Sequence, residues 1–255
     1  MNIILVTTTF YKNIEELRFQ LVCRTIDQAV SAGYPIVVVD GSPDLRIAKK
    51  LSDTGAIVFP EILRGMAASR RQAIFCALNH CYFNLGDSQV ETAIVWLEPE
   101  KYDIVRFIPQ IVEPIQRGDA MVVIPKRSEQ SWQTYPEFQQ ISEQQANAAY
   151  TAATGRHGFD PMFGPMAFRA DELAMMLLWN PAVANVQSQY HHHFWPLLIS
   201  ASEVSSVEID FCYPPEQKQA EEADAATSGQ IMEKRQQQLT QLSADYQAVA
   251  DFLKR

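Results

Sequence analysis

Short apolar segments alternate with helical segments over the first half of the chain, and this alternation constrains the fold more than any other feature. The apolar segments are continuous, and each has the length of one buried strand. They cover residues 2–9, 35–39, 56–59, 93–97 and 120–124. Strands that alternate with helices form βαβ units. The sequence therefore predicts an α/β fold, with a mainly parallel sheet flanked by helices.

Helical spacing of apolar residues fills the gaps between these strands and returns later in the chain. The predicted helices cover residues 14–32, 45–52, 66–81, 103–117, 138–153, 170–179 and 190–200. A polar loop at residues 128–136, a Gly/Pro-rich segment at 155–165 and a last strand at 207–211 complete the body. The Gln-rich remainder predicts an amphipathic helix that docks on the body or on a partner. We expect one domain at residues 1–213 and a helical extension at 214–255.

Composition excludes several classes of partner. The net charge is −9, and the Lys and Arg residues are scattered, which argues against nucleic acid or an anionic membrane as the main partner. No run reaches the roughly 18–20 apolar residues of a membrane span, and the N-terminus lacks a signal-peptide pattern. We therefore expect a soluble cytoplasmic protein without a membrane span. The sequence leaves a homodimer open.

Two carboxylates follow the fourth apolar segment, separated by one proline. Pro99 cannot donate to a strand ladder, so the strand should end before it. Glu98 and Glu100 would then lie together at the carboxyl end of a buried strand, where open α/β sheets bind ligands. Two such oxygen ligands suit a divalent cation that also holds phosphate. The alternative is a pair of solvated acids at the start of the next helix.

Polar residues also follow the first two strands. Thr7, Thr8 and Thr9 close the first, and Asp40 with Gly41 follows the second. In a parallel sheet these residues and the glutamates lie at one edge. Asp40 would accept a hydrogen bond from a ribose hydroxyl or a base N–H. An Asx turn or a cap of the following helix explains Asp40 equally well.

A basic segment follows the third strand. Gly65 permits close approach of the backbone, and the helix that starts after it directs N–H groups at an anion. Arg64 and Arg70 would clamp a diphosphate, with Ser69 beside them, whereas we expect Arg71 on the surface.

Three sets of residues in the second half are further candidates. His157 lies among glycines in the Gly/Pro-rich segment and is a candidate for substrate contact. Asp160 is an attractive acid in the same segment, although an Asx turn before the next proline explains it as well. Residues 191–193 are consecutive histidines in a predicted helix. Neighbours on a helix are about 100° apart, so at most one would be a metal ligand.

The order of these motifs resembles that of GT-A glycosyltransferases. Four motifs carry the resemblance: Thr7-Thr8-Thr9, Val38-Val39-Asp40-Gly41-Ser42, Arg64-Gly65 with Ser69-Arg70-Arg71, and Glu98-Pro99-Glu100. It extends over residues 3–127 and more loosely over 155–212. Within the superfamily the chain is most similar to family-2-like enzymes and to the retaining mannosylglycerate and glucosyl-phosphoglycerate synthases.

The resemblance implies a nucleotide-diphosphate sugar as donor, a small hydroxylated acceptor, and Mg²⁺ or Mn²⁺ as cofactor. By position it implies nucleotide-sugar contacts at Thr8, Tyr11, Asp40, Gly41, Arg64, Gly65, Ser69 and Arg70. It implies acceptor contacts at His157, Phe163 and Gly164, metal ligands at Glu98, Glu100 and His193, and catalytic roles for Glu98, Glu100 and Asp160.

Departures from the family pattern define the alternatives. Glutamates replace the usual Asp-x-Asp pair, which predicts weakened or absent metal affinity and leaves open a protein that binds nucleotide or sugar without transfer. No Glu-Asp pair follows Arg127 to act as the base of an inverting enzyme, which favours a retaining mechanism. A nucleotidyltransferase is the lowest-ranked alternative, because the loop after the first strand lacks glycine. A scaffold that associates through its Gln-rich tail is a third, non-enzymatic possibility.

Overall fold

The computed structural model describes residues 1–84, 92–228 and 230–255. Its strands are β1 (Asn2–Thr9), β2 (Ile36–Asp40), β3 (Ile57–Pro60), β4 (Thr92–Trp96), β5 (Val122–Val123), β6 (Lys126–Arg127), β7 (Met166–Arg169), β8 (Val204–Ser205) and β9 (Glu208–Ile209). Its α-helices are α1 (Leu17–Ser31), α2 (Leu45–Asp53), α3 (Met66–Asn84), α4 (Ile108–Gln116), α5 (Glu129–Gln133), α6 (Glu137–Thr154), α7 (Ala170–Met176), α8 (Pro215–Ser228) and α9 (Gln230–Leu253). Short 3₁₀ helices cover Tyr102–Phe107, Pro161–Phe163, Pro181–Ala184, His191–His193, Trp195–Leu198 and Ala201–Glu203.

Backbone contacts group these elements into two compact units. The first unit combines Met1–Val123 with Gly164–Leu178, and the second combines Ile124–Phe163 with Trp179–Arg255. Each unit draws on two separate stretches of the chain. The expected boundary at residue 213 stays a prediction. Within the described residues, no helix combines the length and the hydropathy that a bilayer crossing requires.

The first unit is an α/β sheet with helices around it. Its strands among the described residues run in the order β3-β2-β1-β4-β7-β5. β1 pairs in parallel with both β2 and β4, and β2 pairs in parallel with β3. β7 is antiparallel to β4 and to β5. The predicted α/β class and the mainly parallel sheet are therefore confirmed.

The strands and helices of this unit follow the apolar pattern of the sequence. Every residue of β2 and β4 is buried, as expected for strands covered on both faces. Helix α1 buries Leu21, Val22 and Ile26 on one side. It ends just before Gly33, whose φ of +79° is the left-handed conformation that glycine adopts at helix ends.

The second unit has a core of its own, built around α6 and α9. Tyr150 from α6 packs with Leu242, Tyr246 and Val249 from α9, and Phe194 belongs to the same cluster. The Tyr150 and Tyr246 rings meet edge to face, with centroids 5.2 Å apart. The C-terminal helix predicted from the Gln-rich tail is therefore present, and it docks within the second unit.

The predicted secondary structure differs from the structure most clearly in three places. Residues 190–200 form two short 3₁₀ helices instead of one α-helix, and Pro196 in this stretch has no N–H to donate. The expected loop at 128–136 contains α5, whose N-cap is Ser128, its hydroxyl accepting from Ser131 N–H at 3.1 Å. Strand β7 was not predicted, because it is only four residues long and follows the Gly/Pro-rich segment directly.

Candidate functional site

The carboxyl ends of β1 and β2 meet at one edge of the sheet in the first unit. Thr9 lies opposite Asp40 in the strand register, and Gly41 N–H donates to Thr9 O at 2.9 Å. The Thr9 hydroxyl donates to Asp40 Oδ1 at 2.7 Å. Thr7 lies two residues before Thr9, on the same face of β1, and its hydroxyl donates to Leu97 O at 2.8 Å. Thr8 points to the other face of the sheet and is half-buried. The hydrogen bonds from β1 to Leu97 and Asp40 therefore come from Thr7 and Thr9.

Asp40 is the centre of this junction. Its Oδ1 accepts from Thr9 and from the hydroxyl and N–H of Ser42, at 2.7, 2.6 and 3.3 Å. The Ser42 contacts are those of an Asx turn, the alternative that the sequence left open. The cap of α2 is Asp44, which accepts from Arg46 N–H at 3.0 Å. Asp40 is therefore a buried residue that shapes the turn after β2.

Tyr11 connects this turn to the two glutamates. Its backbone N–H donates to Ser42 Oγ at 2.9 Å, and its hydroxyl donates to Glu100 Oε1 at 3.1 Å. The ring is buried and meets Phe19 edge to face, with centroids 5.9 Å apart. Burial, and then the Glu100 charge, raise the pKa of Tyr11 well above its ordinary value. The hydroxyl therefore stays a hydrogen-bond donor at neutral pH.

Glu100 is a buried carboxylate with a cationic partner. Its side chain is 7% exposed, and Oε1 lies 2.5 Å from Nη2 of Arg18, whose side chain is half exposed. Burial raises the pKa of Glu100 above its ordinary value; Glu98 adds to this effect, and Arg18 opposes it. The alternative interpretation, a solvated acid at a helix start, therefore does not describe Glu100.

Glu98 lies beside it, with 30% of its side chain exposed. Its Oε1 lies 3.9 Å from Arg70 Nη2. Arg70 is buried, and its guanidinium carbon lies 5.2 Å from the centre of the Trp96 ring. Gly164 packs directly on Glu98, since a Cβ on Gly164 would lie 2.4 Å from Glu98 Cγ. With a φ of +99° as well, this position accepts glycine alone without rearrangement.

The start of α3 presents the basic segment as the sequence predicted. Gly65 has a φ of +110°, and its carbonyl accepts from Ser69 N–H at 2.8 Å. Ser69 is buried and Arg64 is exposed. Arg71, which we expected on the surface, is half-buried and donates to the carbonyl of Leu177.

A cavity of about 440 Å³ opens beside the end of β2. This volume lies within the range of about 300–1,000 Å³ that is typical of small-molecule sites. Polar residues and apolar residues both line it, among them Asp40, Gly41, Ser42, Leu45, Glu61 and Arg64. The hydrogen-bonded chain from Asp40 through Ser42 and Tyr11 to Glu100 leads from this cavity to the paired glutamates.

Asp160 belongs to a buried ion-pair network in the second unit. Arg127 donates through Nε and Nη2 to both oxygens of Asp160, at 2.7 and 2.8 Å. Asn147 Nδ2 adds a third side-chain hydrogen bond at 2.6 Å. Burial alone would raise the pKa of Asp160, but Arg127 and these hydrogen bonds bring it below its ordinary value. Its geometry is that of a structural carboxylate.

The other predicted residues of the second unit lie in different surroundings. His157 is exposed, and Phe163 is buried against Phe211, with ring centroids 5.6 Å apart. His193 is buried, with Nδ1 2.9 Å from the Tyr246 hydroxyl. Within the described residues, no group of three or more His, Cys, Asp or Glu side chains is placed to hold a metal ion.

The sequence prediction missed two residues of this region. Arg18, the partner of Glu100, carries no sequence signal beyond its place on α1. Glu61 directly follows β3. Asp40 and Glu98 were predicted because they follow strands, and the same criterion would have identified Glu61.

Known structures resemble this chain in fold, although no protein-family model and no curated protein sequence matches it. It is similar to glucosyl-3-phosphoglycerate synthase from Mycobacterium tuberculosis, with 16% identity and a TM-score of 0.53 over 84% of this chain and 72% of that chain. A complex of that enzyme with uridine diphosphate gives 14% identity and a TM-score of 0.61 over 98% and 80% of the two chains. A complex with Mn²⁺, uridine diphosphate and glucosyl-3-phosphoglycerate gives 13% identity and 0.56 over 86% and 75%. The likeness confirms the predicted GT-A-like fold.

Proposed function

We propose that this protein is a glycosyltransferase that moves a sugar from a nucleotide-diphosphate sugar to a small hydroxylated acceptor. One observation carries the proposal: a continuous set of hydrogen bonds joins a nucleotide-sized cavity at Asp40 to the carboxylates at Glu98 and Glu100. A nucleotide-sugar site needs a pocket for the nucleoside and, next to it, groups that hold the diphosphate, and the cavity and the carboxylates would supply these two parts. The bound uridine diphosphate and Mn²⁺ in structures of similar fold support the same assignment.

The nucleoside would occupy the cavity, and the diphosphate would lie toward the start of α3. Arg64 is exposed at the cavity, and the positive end of a helix dipole suits an anion. Gly65 lets the backbone approach the phosphates, and Ser69 and Arg70 stand in the first turns behind it. The predicted contacts at Thr8 and Gly41 belong to the same proposal.

The paired glutamates fit a divalent cation. Glu98 lies close enough to Glu100 to raise the pKa of Glu100. A cation between the two carboxylates would reduce this repulsion. Mg²⁺ commonly takes one or two protein carboxylates and completes its shell with phosphate oxygens and water. Such a cation would neutralise the departing diphosphate. Arg70 and Arg18 would hold the two carboxylates in position from the protein side.

The acceptor region remains part of the proposal. We keep His157, Phe163 and Gly164 as acceptor contacts and His193 as a candidate ligand. For Asp160 we propose a structural role in place of the catalytic one, because Arg127 and Asn147 engage both of its oxygens. This leaves no candidate base at Asp160 and agrees with the retaining mechanism that the sequence favours.

Calorimetric titration with UDP, GDP and ADP, with and without Mn²⁺, tests the proposal. We expect one of the three to bind, more tightly with Mn²⁺. Incubation with the matching glucose or mannose nucleotide and 3-phosphoglycerate should then release the nucleoside diphosphate. Failure to bind any of the three nucleotides would overturn the proposed function.

A protein that binds a nucleotide sugar without transfer is the second candidate. The observation in its favour is that each glutamate already has an arginine nearby, at 2.5 Å for Glu100 and 3.9 Å for Glu98. Guanidinium groups there would compete with a metal ion. Affinity for a sugar nucleotide with neither transfer nor slow donor hydrolysis would identify this candidate.

The raised pKa of Glu100 predicts the pH dependence of the metal effect. A carboxyl with a raised pKa takes up its proton at a higher pH than an ordinary glutamate, and the protonated form no longer attracts a cation. Mn²⁺-dependent nucleotide binding should therefore weaken as the pH falls, before an unperturbed glutamate would titrate. Titrations from pH 8 to pH 5 check this, with circular dichroism to show that the fold persists. Binding that stays constant over this range would contradict it.

A further inference from the structure

We propose that Glu61 selects guanine as the base of the nucleotide. This inference rests on the proposed function and extends it to the identity of the donor. Glu61 lines the cavity at the end of β2 and is half-buried. Its backbone N–H donates to Asp40 O at 2.8 Å, which fixes the start of the side chain beside the cavity.

The carboxylate of Glu61 is available to a ligand. Among the described residues, no side chain forms a hydrogen bond or an ion pair with it. The same holds for Arg64, which lines the same cavity without pairing with Glu61. Opposite charges that share a cavity without neutralising each other suit a ligand that has both an anionic part and a set of N–H donors. A nucleoside diphosphate has both.

Asp40 does not offer the same recognition. Its Oδ1 already accepts from Thr9 and twice from Ser42, and the side chain is buried. Asp40 therefore has one oxygen left, whereas Glu61 keeps both of its oxygens for a base among the described residues. An ionised carboxylate only accepts hydrogen bonds, and its two oxygens accept most strongly from two adjacent donors.

Guanine is the common base that presents such a pair. Its N1–H and its 2-amino group are neighbours on one edge. Uracil offers a single N–H between two carbonyls, and adenine offers an amino group beside a ring acceptor that a carboxylate repels. Apolar lining from Leu45 and Val58 supplies a surface for the base plane. Leu45 is 86% exposed, so its side chain is accessible to a stacked base.

Gly41 supports the same geometry. An ideal Cβ on Gly41 would lie 2.6 Å from Oε2 of Glu61 and 3.0 Å from its Cδ. The carboxylate of Glu61 therefore lies against the Gly41 backbone, where a larger residue would displace it. Displacement moves only the far end of a flexible side chain, so Gly41→Ala should fold normally.

Calorimetric titration of the full chain with GDP, IDP, UDP and ADP in the presence of Mn²⁺ tests the inference. IDP keeps the N1–H of GDP and lacks only the 2-amino group. We expect GDP to bind at least about tenfold more tightly than UDP or ADP, with IDP in between. In Glu61→Gln the GDP affinity should fall by about tenfold to a hundredfold, and the ratio of UDP to GDP dissociation constants should fall with it. Gly41→Ala should lower that ratio in the same direction.

Glu113→Gln is the matched control, because Glu113 is an exposed glutamate of α4 outside the cavity. It should leave the order of the four nucleotides unchanged. UDP or ADP binding more tightly than GDP, or a GDP preference that survives Glu61→Gln, would overturn the inference and leave the proposed function standing. Absence of binding by all four nucleotides would overturn both.

Discussion

Replacing Glu98 with glutamine should slow the proposed sugar transfer by about a hundredfold to a thousandfold. It should also remove the effect of Mn²⁺ on nucleotide binding. Glutamine has the same shape as glutamate and keeps one oxygen acceptor, but it loses the charge that would hold a cation against the diphosphate. Because 30% of the Glu98 side chain is exposed, the amide of the glutamine can be hydrated. The rate of donor consumption and the calorimetric affinity with and without Mn²⁺ measure the two effects.

The chain offers a closely matched control for this substitution. Glu172 on α7 has a side-chain exposure of 27% and an arginine partner, Arg169, at 3.2 Å, close to the 30% and 3.9 Å of Glu98. Glu172→Gln removes the same charge near the start of β4, where Arg169 pairs with Ala93, and therefore at the opposite end of that strand from Glu98. It should retain the wild-type rate and the wild-type response to Mn²⁺. A Glu98→Gln protein that behaves like this control would remove Glu98 from the proposed site.

Much of the fold could be predicted from the sequence because apolar runs and helix caps are local signals. The runs at β1, β2 and β4 are buried as their composition indicated, and Gly33 ends α1 as expected. Strand β7 is different. It is short, and only its pairing with β4 and β5, more than 40 residues distant in the chain, makes it a strand. No local pattern encodes that pairing.

The candidate site shows the same division between local and distant information. Asp40, Glu98 and Glu100 were predicted because each follows an apolar run. The choice between Thr8 and its neighbours depends on the direction of the pleat, since successive side chains of a strand alternate between the two faces. The pairing of Glu100 with Arg18 depends on how α1 crosses the sheet. Both facts come from tertiary packing, which the sequence did not disclose.

Replacing Arg127 with methionine should lower the free energy of unfolding of the second unit by about 3–5 kcal/mol. Arg127 is fully buried and pairs with Glu143 at 2.6 Å and with Asp160 at 2.7 Å. Its guanidinium also lies 3.5 Å from the centre of the Trp132 ring. Methionine fills a similar volume but leaves the buried carboxylate of Asp160 without a cation, and this uncompensated charge is the main source of the cost, because Glu143 keeps Arg235 at 3.1 Å.

Urea unfolding followed by tryptophan fluorescence measures this loss, since Trp132, Trp179 and Trp195 all lie in the second unit. Lys126→Met is the control: Lys126 lies in the same unit and pairs with Glu208 at 3.1 Å, but its side chain is 40% exposed, so its loss should cost at most about 1 kcal/mol.

A double variant separates the effect of charge from that of packing. Adding Asp160→Asn to Arg127→Met removes the stranded charge of Asp160 and keeps a group of the same shape, which Asn147 still contacts. If uncompensated charge causes the loss, the double variant should be more stable than Arg127→Met alone, so the two substitutions should be strongly non-additive. Additive losses would mean that Arg127 acts mainly by packing among its aromatic neighbours, and they would assign Asp160 a separate role of its own.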